Sequence, residues 1–166
     1  HFDCTGVWPT AGGELEDGGG GGTAGSHWES RVLGDELMTG AKSSGMALSA
    51  LTLAVFHDMG FYQVDYAKAE RLEWGRKQGC AFASQPCDAG WSRGTYFCAE
   101  QESVGCTVDR RWLGYCNLVE HATSRSLHFQ YFADPALGGN VQNYDYCPFF
   151  LGYGNGDCRE AATTSR

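Results

Sequence analysis

The sequence predicts an α+β chain in two parts: a mainly helical part up to residue 79, then an irregular part held by disulfides. Three observations carry that expectation. Apolar residues recur at helical spacing over residues 44–60. Beyond Gly79 the pattern changes to short aromatic runs between Gly, Pro, Asn and Asp. Seven of the eight cysteines fall at or after position 80, and an even number in such a chain reads as a disulfide framework.

Residues 1–26 read as loop. Gly12-Gly13 and the run Gly18 to Gly22 cannot hold a helix or a central strand. Two readings of that run stay open: a flexible linker, or a loop that must pass close to the segment leading into His27. Over 44–60, Ser44 or Ser49 can cap a helix and Gly60 can end it. Leu48, Leu51, Val55, Phe56 and Met59 form its stripe, and core packing is the simplest reading. His57 lies near the C-terminal end of this helix, where a cation is favoured, and reads as a surface histidine. Asp65 to Trp74 predicts a second, short helix with Asp65 as cap. Tyr96-Phe97, His128 to Phe132 and Pro148 to Leu151 then sit between turns, which predicts strand-poor structure. The tail from Ala161 to Arg166 is expected to fray.

Composition excludes several function classes. A formal charge of -8, with 12 scattered Lys and Arg, argues against nucleic acid or an anionic membrane as partner. The 42% apolar content is enough for a buried core, in a length natural for one domain or a domain and part of another. No Cys-x-x-Cys occurs, which removes a zinc ribbon or a thioredoxin-like redox pair. The cysteine count points instead to a secretory or cell-surface compartment. With no initiator Met, signal peptide or transmembrane run, the chain reads as a piece of a longer product. No Asn-x-Ser/Thr sequon is present.

The chemistry concentrates in Ser26-His27-Trp28 and Asp35-Glu36-Leu37-Met38. Zinc peptidases of the zincin class use two His one helical turn apart, with a Glu between them as general base. In the metzincin branch a third His completes the site, and a downstream Met lies on a tight turn below the metal. His27 and Met38 fit those last two parts. No His-Glu-x-x-His occurs in the 166 residues. By spacing alone, His27 would more often be a surface histidine and Met38 core filler.

A longer set of blocks gives these residues their context. They are Gly25-Ser26-His27-Trp28, Asp35-Glu36-Leu37-Met38, and Ser49 through Tyr62. After them come Val64-Asp65-Tyr66, Trp74-Gly75, Gly79-Cys80-Ala81-Phe82, Gln130-Tyr131-Phe132 with Asp134-Pro135, and Asp145-Tyr146-Cys147-Pro148. In this order the chain resembles the leishmanolysin family of surface zinc metallopeptidases, peptidase family M8 of the metzincin class.

The resemblance implies that His27 is the third zinc ligand, brought in after a long insertion, and Met38 the Met-turn residue. It implies that the helix at 49–59 packs beneath the site. Residues 1–79 would be the C-terminal part of a metzincin-like catalytic domain, and 80–166 part of a cysteine-rich C-terminal domain. It pairs Cys4 with Cys80, Cys87 with Cys147, and Cys98 with Cys116. Cys106 and Cys158 resemble cysteines whose partners lie farther downstream, and are expected unpaired, or paired with each other by default. The activity implied is peptide-bond hydrolysis by a zinc-activated water, on protein or peptide substrates, at the cell surface or outside the cell. Membrane attachment would come only through an anchor outside this chain. The general-base Glu would lie outside it too, so the chain alone is expected to be inactive and to bind zinc weakly or not at all. The alternative is a non-catalytic, disulfide-rich adhesion or binding module.

Overall fold

The computed structural model of this chain describes residues 1–3, 12–87 and 96–157. Its first part is built from turns and two short helices. The glycine-rich stretch folds back on itself: Glu16 N donates to His27 O at 2.9 Å, Gly25 N to Glu16 O at 2.8 Å and Glu29 N to Glu14 O at 3.0 Å. Of the two readings of the glycine run, this is the loop that passes close to His27.

Helix α1 (Ser30–Leu33) follows directly, with the Glu29 side chain accepting from Arg31 N as its cap. Helix α2 (Ala50–Asp58) is capped by Ser49, whose hydroxyl accepts from Leu51 N. Gly60 follows at φ 75°, the left-handed turn that ends many helices. The helix is shorter than the 44–60 stretch whose pattern announced it, because Ser44 and Gly45 form a turn and Met46 to Leu48 lie outside any helix. Ala47 bridges to Glu36, and Ser49 to Glu70.

Three expectations need correcting. The stripe on α2 is core only in part: Leu51 packs against the core, Leu48, Val55 and Phe56 are half-buried, and Met59 is 52% exposed. The segment from Asp65 to Trp74 holds only a three-residue 3-10 turn, Tyr66–Lys68, with Asp65 accepting from Ala67 N. Beyond that turn the chain extends, and Leu72 and Trp74 enter the core. The part after residue 79 is not strand-poor either, for it carries every strand of the described residues.

A third helix, α3 (Cys80–Ser84), leads into these strands. β1 (Val104–Cys106), β2 (Trp112–Cys116) and β5 (Phe150–Asp157) form an antiparallel sheet with β2 in the centre. β3 (Leu118–Glu120) pairs with β4 (Leu137–Gly139) as a separate ribbon. The fold is therefore α+β, with its helices early and its strands late.

The main core draws on both sides of residue 79. Trp74, 2% exposed, stands at its centre with edge contacts to Phe82, Tyr96, Phe97, Tyr144 and Phe149. Its indole N–H donates to Arg31 O at 3.0 Å. Gly34 lies flat against the ring, where a Cβ would meet Cδ2 at 2.4 Å, so no larger residue fits there. Arg31 is buried and donates to the Phe82 and Gln85 carbonyls at 3.1 and 3.2 Å, satisfying the open end of α3.

Two disulfides tie the second part together. Cys87–Cys147 joins residues with Cα atoms 6.0 Å apart and Cys98–Cys116 residues 5.9 Å apart. Cys80 is also disulfide-bonded. The Cys4–Cys80 pairing lies outside the described residues with Cys4, as do Cys158 and the tail from Ala161. Cys106 is free and exposed.

Candidate functional site

His27 and Met38 are brought side by side. Trp28 N donates to Met38 O at 2.8 Å, and Trp28 bridges to Thr39 in parallel. The backbone just after the histidine thus runs alongside the methionine. Each side chain is half-buried.

The His27 ring is held on one edge. Its Nδ1 lies 3.3 Å from the Thr23 carbonyl and 3.0 Å from Ser26 Oγ. A carbonyl can only accept, so that contact favours the tautomer with the proton on Nδ1 and a lone pair on Nε2. Metal-bound histidines are oriented in this way, by donating the other ring N–H to a carbonyl or carboxylate. Among the described residues Nε2 makes no hydrogen bond. His27 therefore fits the role of one imidazole ligand, and zinc needs two or more further protein ligands.

Met38 sits on a tight turn. Thr39 N donates to Glu36 O at 3.2 Å, and Thr39 Oγ1 to the same oxygen at 2.8 Å. The fully buried Glu36 carboxylate organises the turn. One oxygen accepts from Met38 N at 2.6 Å; the other accepts from Ser49 N at 3.1 Å and Ser49 Oγ at 2.8 Å. A single side chain therefore fixes the turn to the start of α2.

A second buried carboxylate anchors the histidine side. Glu16, 1% exposed, accepts from Gly18 N at 2.9 Å and Ser30 Oγ at 3.0 Å. Sequence reasoning singled out neither Glu16 nor Glu36 for this role. Their signal was faint: a carboxylate embedded in a Gly-rich loop, and one inside the block that carries the methionine.

The carboxyls around this loop are pushed toward their neutral forms. Burial raises Glu29 to about 8, offset in part by the Arg31 N–H it accepts, with Asp145, Glu16 and Asp17 adding to the rise. Burial raises Asp35 to about 7, against a lowering contact from Ser43. It raises Asp145 to about 6, against the attraction of Arg31 at 3.6 Å.

Among the described residues one group of three acids, Glu16, Asp17 and Glu29, has ligand atoms within 4.8 Å of one another. It does not include His27. His57 is exposed at the end of α2, with Nδ1 3.2 Å from Tyr66 Oη, away from both.

Comparison with known proteins gives this geometry its setting. The family model described as Leishmanolysin matches residues 1–166. The chain is 44% identical over 153 residues to a leishmanolysin of Leishmania donovani, covering 90% of this chain and 26% of that protein. It is 38% identical over 169 residues to a leishmanolysin homolog of Crithidia fasciculata, covering 99% of this chain and 25% of the relative. A leishmanolysin-like peptidase of Drosophila melanogaster is 36% identical over 170 residues, which cover 90% of this chain and 24% of that relative. The chain thus spans about a quarter of the length of these relatives. Matched along its whole length by that family, the chain belongs to the leishmanolysin family of metallopeptidases, M8.

Proposed function

We propose that this chain supplies the third zinc ligand, His27, and the Met-turn, Met38, to the active site of a zinc metalloendopeptidase. The observation that carries this reading is the Trp28 N to Met38 O hydrogen bond, which sets the histidine beside the methionine turn. It is supported by the Thr23 carbonyl on Nδ1, which leaves Nε2 as the ligating atom. Zinc, when bound, would polarise a water for attack on a peptide carbonyl. This chain's residues orient and support. Thr23 and Ser26 fix the imidazole, Glu36 fixes the methionine turn, and Glu16 closes the glycine loop that carries Thr23. The remaining ligands and the general base come from a His-Glu-x-x-His motif that the 166 residues do not contain.

On this reading residues 1–79 belong to the catalytic domain and the part from Cys80 onward to the cysteine-rich domain. The substrates are proteins or peptides. The place of action is the cell surface or the extracellular space, which the disulfides support. No helix among the described residues is long and apolar enough to cross a membrane. Attachment through a lipid anchor outside this chain fits the family resemblance.

The test uses the full-length protein that carries these residues. His27→Ala should remove bound zinc and lower casein turnover by more than about a hundredfold, since a catalytic zinc depends on each of its three protein ligands. Full zinc content and activity in that variant would overturn the assignment. The 166-residue chain alone should show no chelator-sensitive casein turnover.

A further inference from the structure

The chain from Trp112 to Glu120 is nearly continuous strand, β2 followed by β3 with Asn117 between them. Its two edges are treated differently. On one edge β5 pairs with β2, and Asn117 N donates to Phe149 O at 3.1 Å. There β4 takes over, with Asn140 N donating to Asn117 O at 3.1 Å and His121 N to Ala136 O at 2.9 Å. On the other edge β1 pairs with β2, and Cys116 N donates to Ser103 O at 2.8 Å. Just before Ser103 the β1 chain turns away, with Glu102 at φ 58°.

Alternate residues of an antiparallel strand bond to opposite sides. Asn117 and His121 bond toward β4, so Leu118 and Glu120 present their N–H and C=O to the edge that β1 has left. β3 has β4 as its one neighbour, and among the described residues no backbone group bonds to that second edge. The outer edge of β4, by contrast, is met by Gly139 N donating to Tyr146 O at 2.6 Å. An open strand edge is a template for another extended chain.

An open groove of about 690 Å³ follows the free edge, within the size range of ligand sites. Leu118 and Glu120 line it from β3, Gln101 and Glu102 from the turn, and Tyr115 and Tyr153 from β2 and β5. The two tyrosine rings lie 5.4 Å apart at a tilt of 36°, each half-buried. No Lys or Arg lines the groove, and neither Glu102 nor Glu120 forms an ion pair among the described residues. An unpaired strand edge, an aromatic pair and two unneutralised acids thus share one groove.

We propose that this groove binds an extended protein segment carrying a Lys or Arg side chain. The segment's backbone adds to β3 at Leu118 and Glu120, along the line that β1 leaves. Its cationic side chain lies against the Tyr115–Tyr153 pair, with Glu102 and Glu120 supplying the opposite charge. The edge reads no sequence; the tyrosines and acids select for the basic residue. Nothing in this assignment rests on zinc chemistry.

The probe is a short fluorescein-labelled peptide of alternating Thr and Val with one central Lys. Its anisotropy is followed on titration with the full-length protein, zinc chelated so that nothing is cleaved, which keeps the outcome separate from that of the His27 assignment. The peptide should bind, and replacing its Lys by Glu should weaken binding at least about tenfold. N-methylation of its alternate backbone amides should abolish binding. Tyr153→Leu and Glu120→Gln, each with an unchanged circular dichroism spectrum, should each weaken binding roughly fivefold. No binding overturns the proposal, as does equal binding of the Lys and Glu peptides. So does binding that survives N-methylation or both substitutions together, or sedimentation showing the edge filled by a second copy of the protein.

Discussion

Around His27 the chain is anchored by buried carboxylates; beyond Cys87 it is anchored by covalent bonds and paired strands. In the first region, Glu16 and Glu36 between them accept six hydrogen bonds from Gly18 N, from Ser30 N and Oγ, from Met38 N, and from Ser49 N and Oγ. In the second, two disulfides and five short strands hold the chain. The contrast shows where precision is placed. The loop around His27 is tied by directional side-chain hydrogen bonds at its turns. The later part is stapled covalently instead.

Removing the staples should cost the most stability. Cys87–Cys147 spans 60 residues of sequence, and the chain-entropy estimate gives such a loop about 4 kcal/mol. Cys98–Cys116 spans 18 and is worth about 3 kcal/mol by the same estimate. Replacing Cys87 and Cys147 together by Ala should lower urea-unfolding stability by about the first figure, more than losing the shorter loop. If the shorter link matters more, loop entropy does not govern this part.

Next in size is the carboxylate anchor. Glu36→Ala strips Met38 N and both Ser49 donors of their acceptor in a site with no exposure, which should cost about 3 kcal/mol. Hydrogen exchange tells the two regions apart. The amides of Met38 and Ser49 should lose protection while Leu113 and Tyr115 in β2 keep theirs. Uniform loss across both would mean the two regions open together.

How much of this could be read beforehand follows from the same physics. Helix α2 was legible because Ser49 and Gly60 are local signals, each acting within a turn of its own residue. The pairing of His27 with Met38 was legible only through the ordered blocks around them, since spacing does not reveal that Trp28 N meets Met38 O. The strands were missed because β1 is three residues long and β2 five, too short for alternation to register. Besides that, β2 pairs with β5 across more than thirty intervening positions, as Cys116 opposite Phe150 shows. The stripe on α2 misled for another reason. Apolar spacing says that a face wants cover, not that this chain covers all of it: Leu51 meets the core, whereas Val55 and Phe56 are only partly buried and Met59 is 52% exposed. Glu16 and Glu36 gave no sign of burial, because a carboxylate is buried only when several donors converge on it, and those donors are set by the fold.

The raised carboxyls reverse the usual dependence of stability on pH. Paired surface acids make a protein less stable as pH falls. Here Asp35 rises from 3.8 to about 7, and Asp145 from 3.8 to about 6, chiefly through burial. Between the unfolded and folded values of each, the folded state holds a proton that the unfolded state has released. Stability must then fall as pH increases through that window, from about 4 to about 7 for Asp35. Glu29, moved from 4.5 to about 8, extends the loss upward. Asp35 alone should cost the chain about 3 kcal/mol between pH 5 and pH 7, each tenfold change in an acid's dissociation constant being worth about 1.4 kcal/mol, and Glu29 and Asp145 should add to that loss. The loss should appear as faster amide exchange over residues 14–47, with the β2–β5 pairs spared. Asp35→Asn, neutral in both states, should flatten the profile by its share. A profile that instead rises from pH 5 to pH 8 would mean that the folded loop carries these acids ionised.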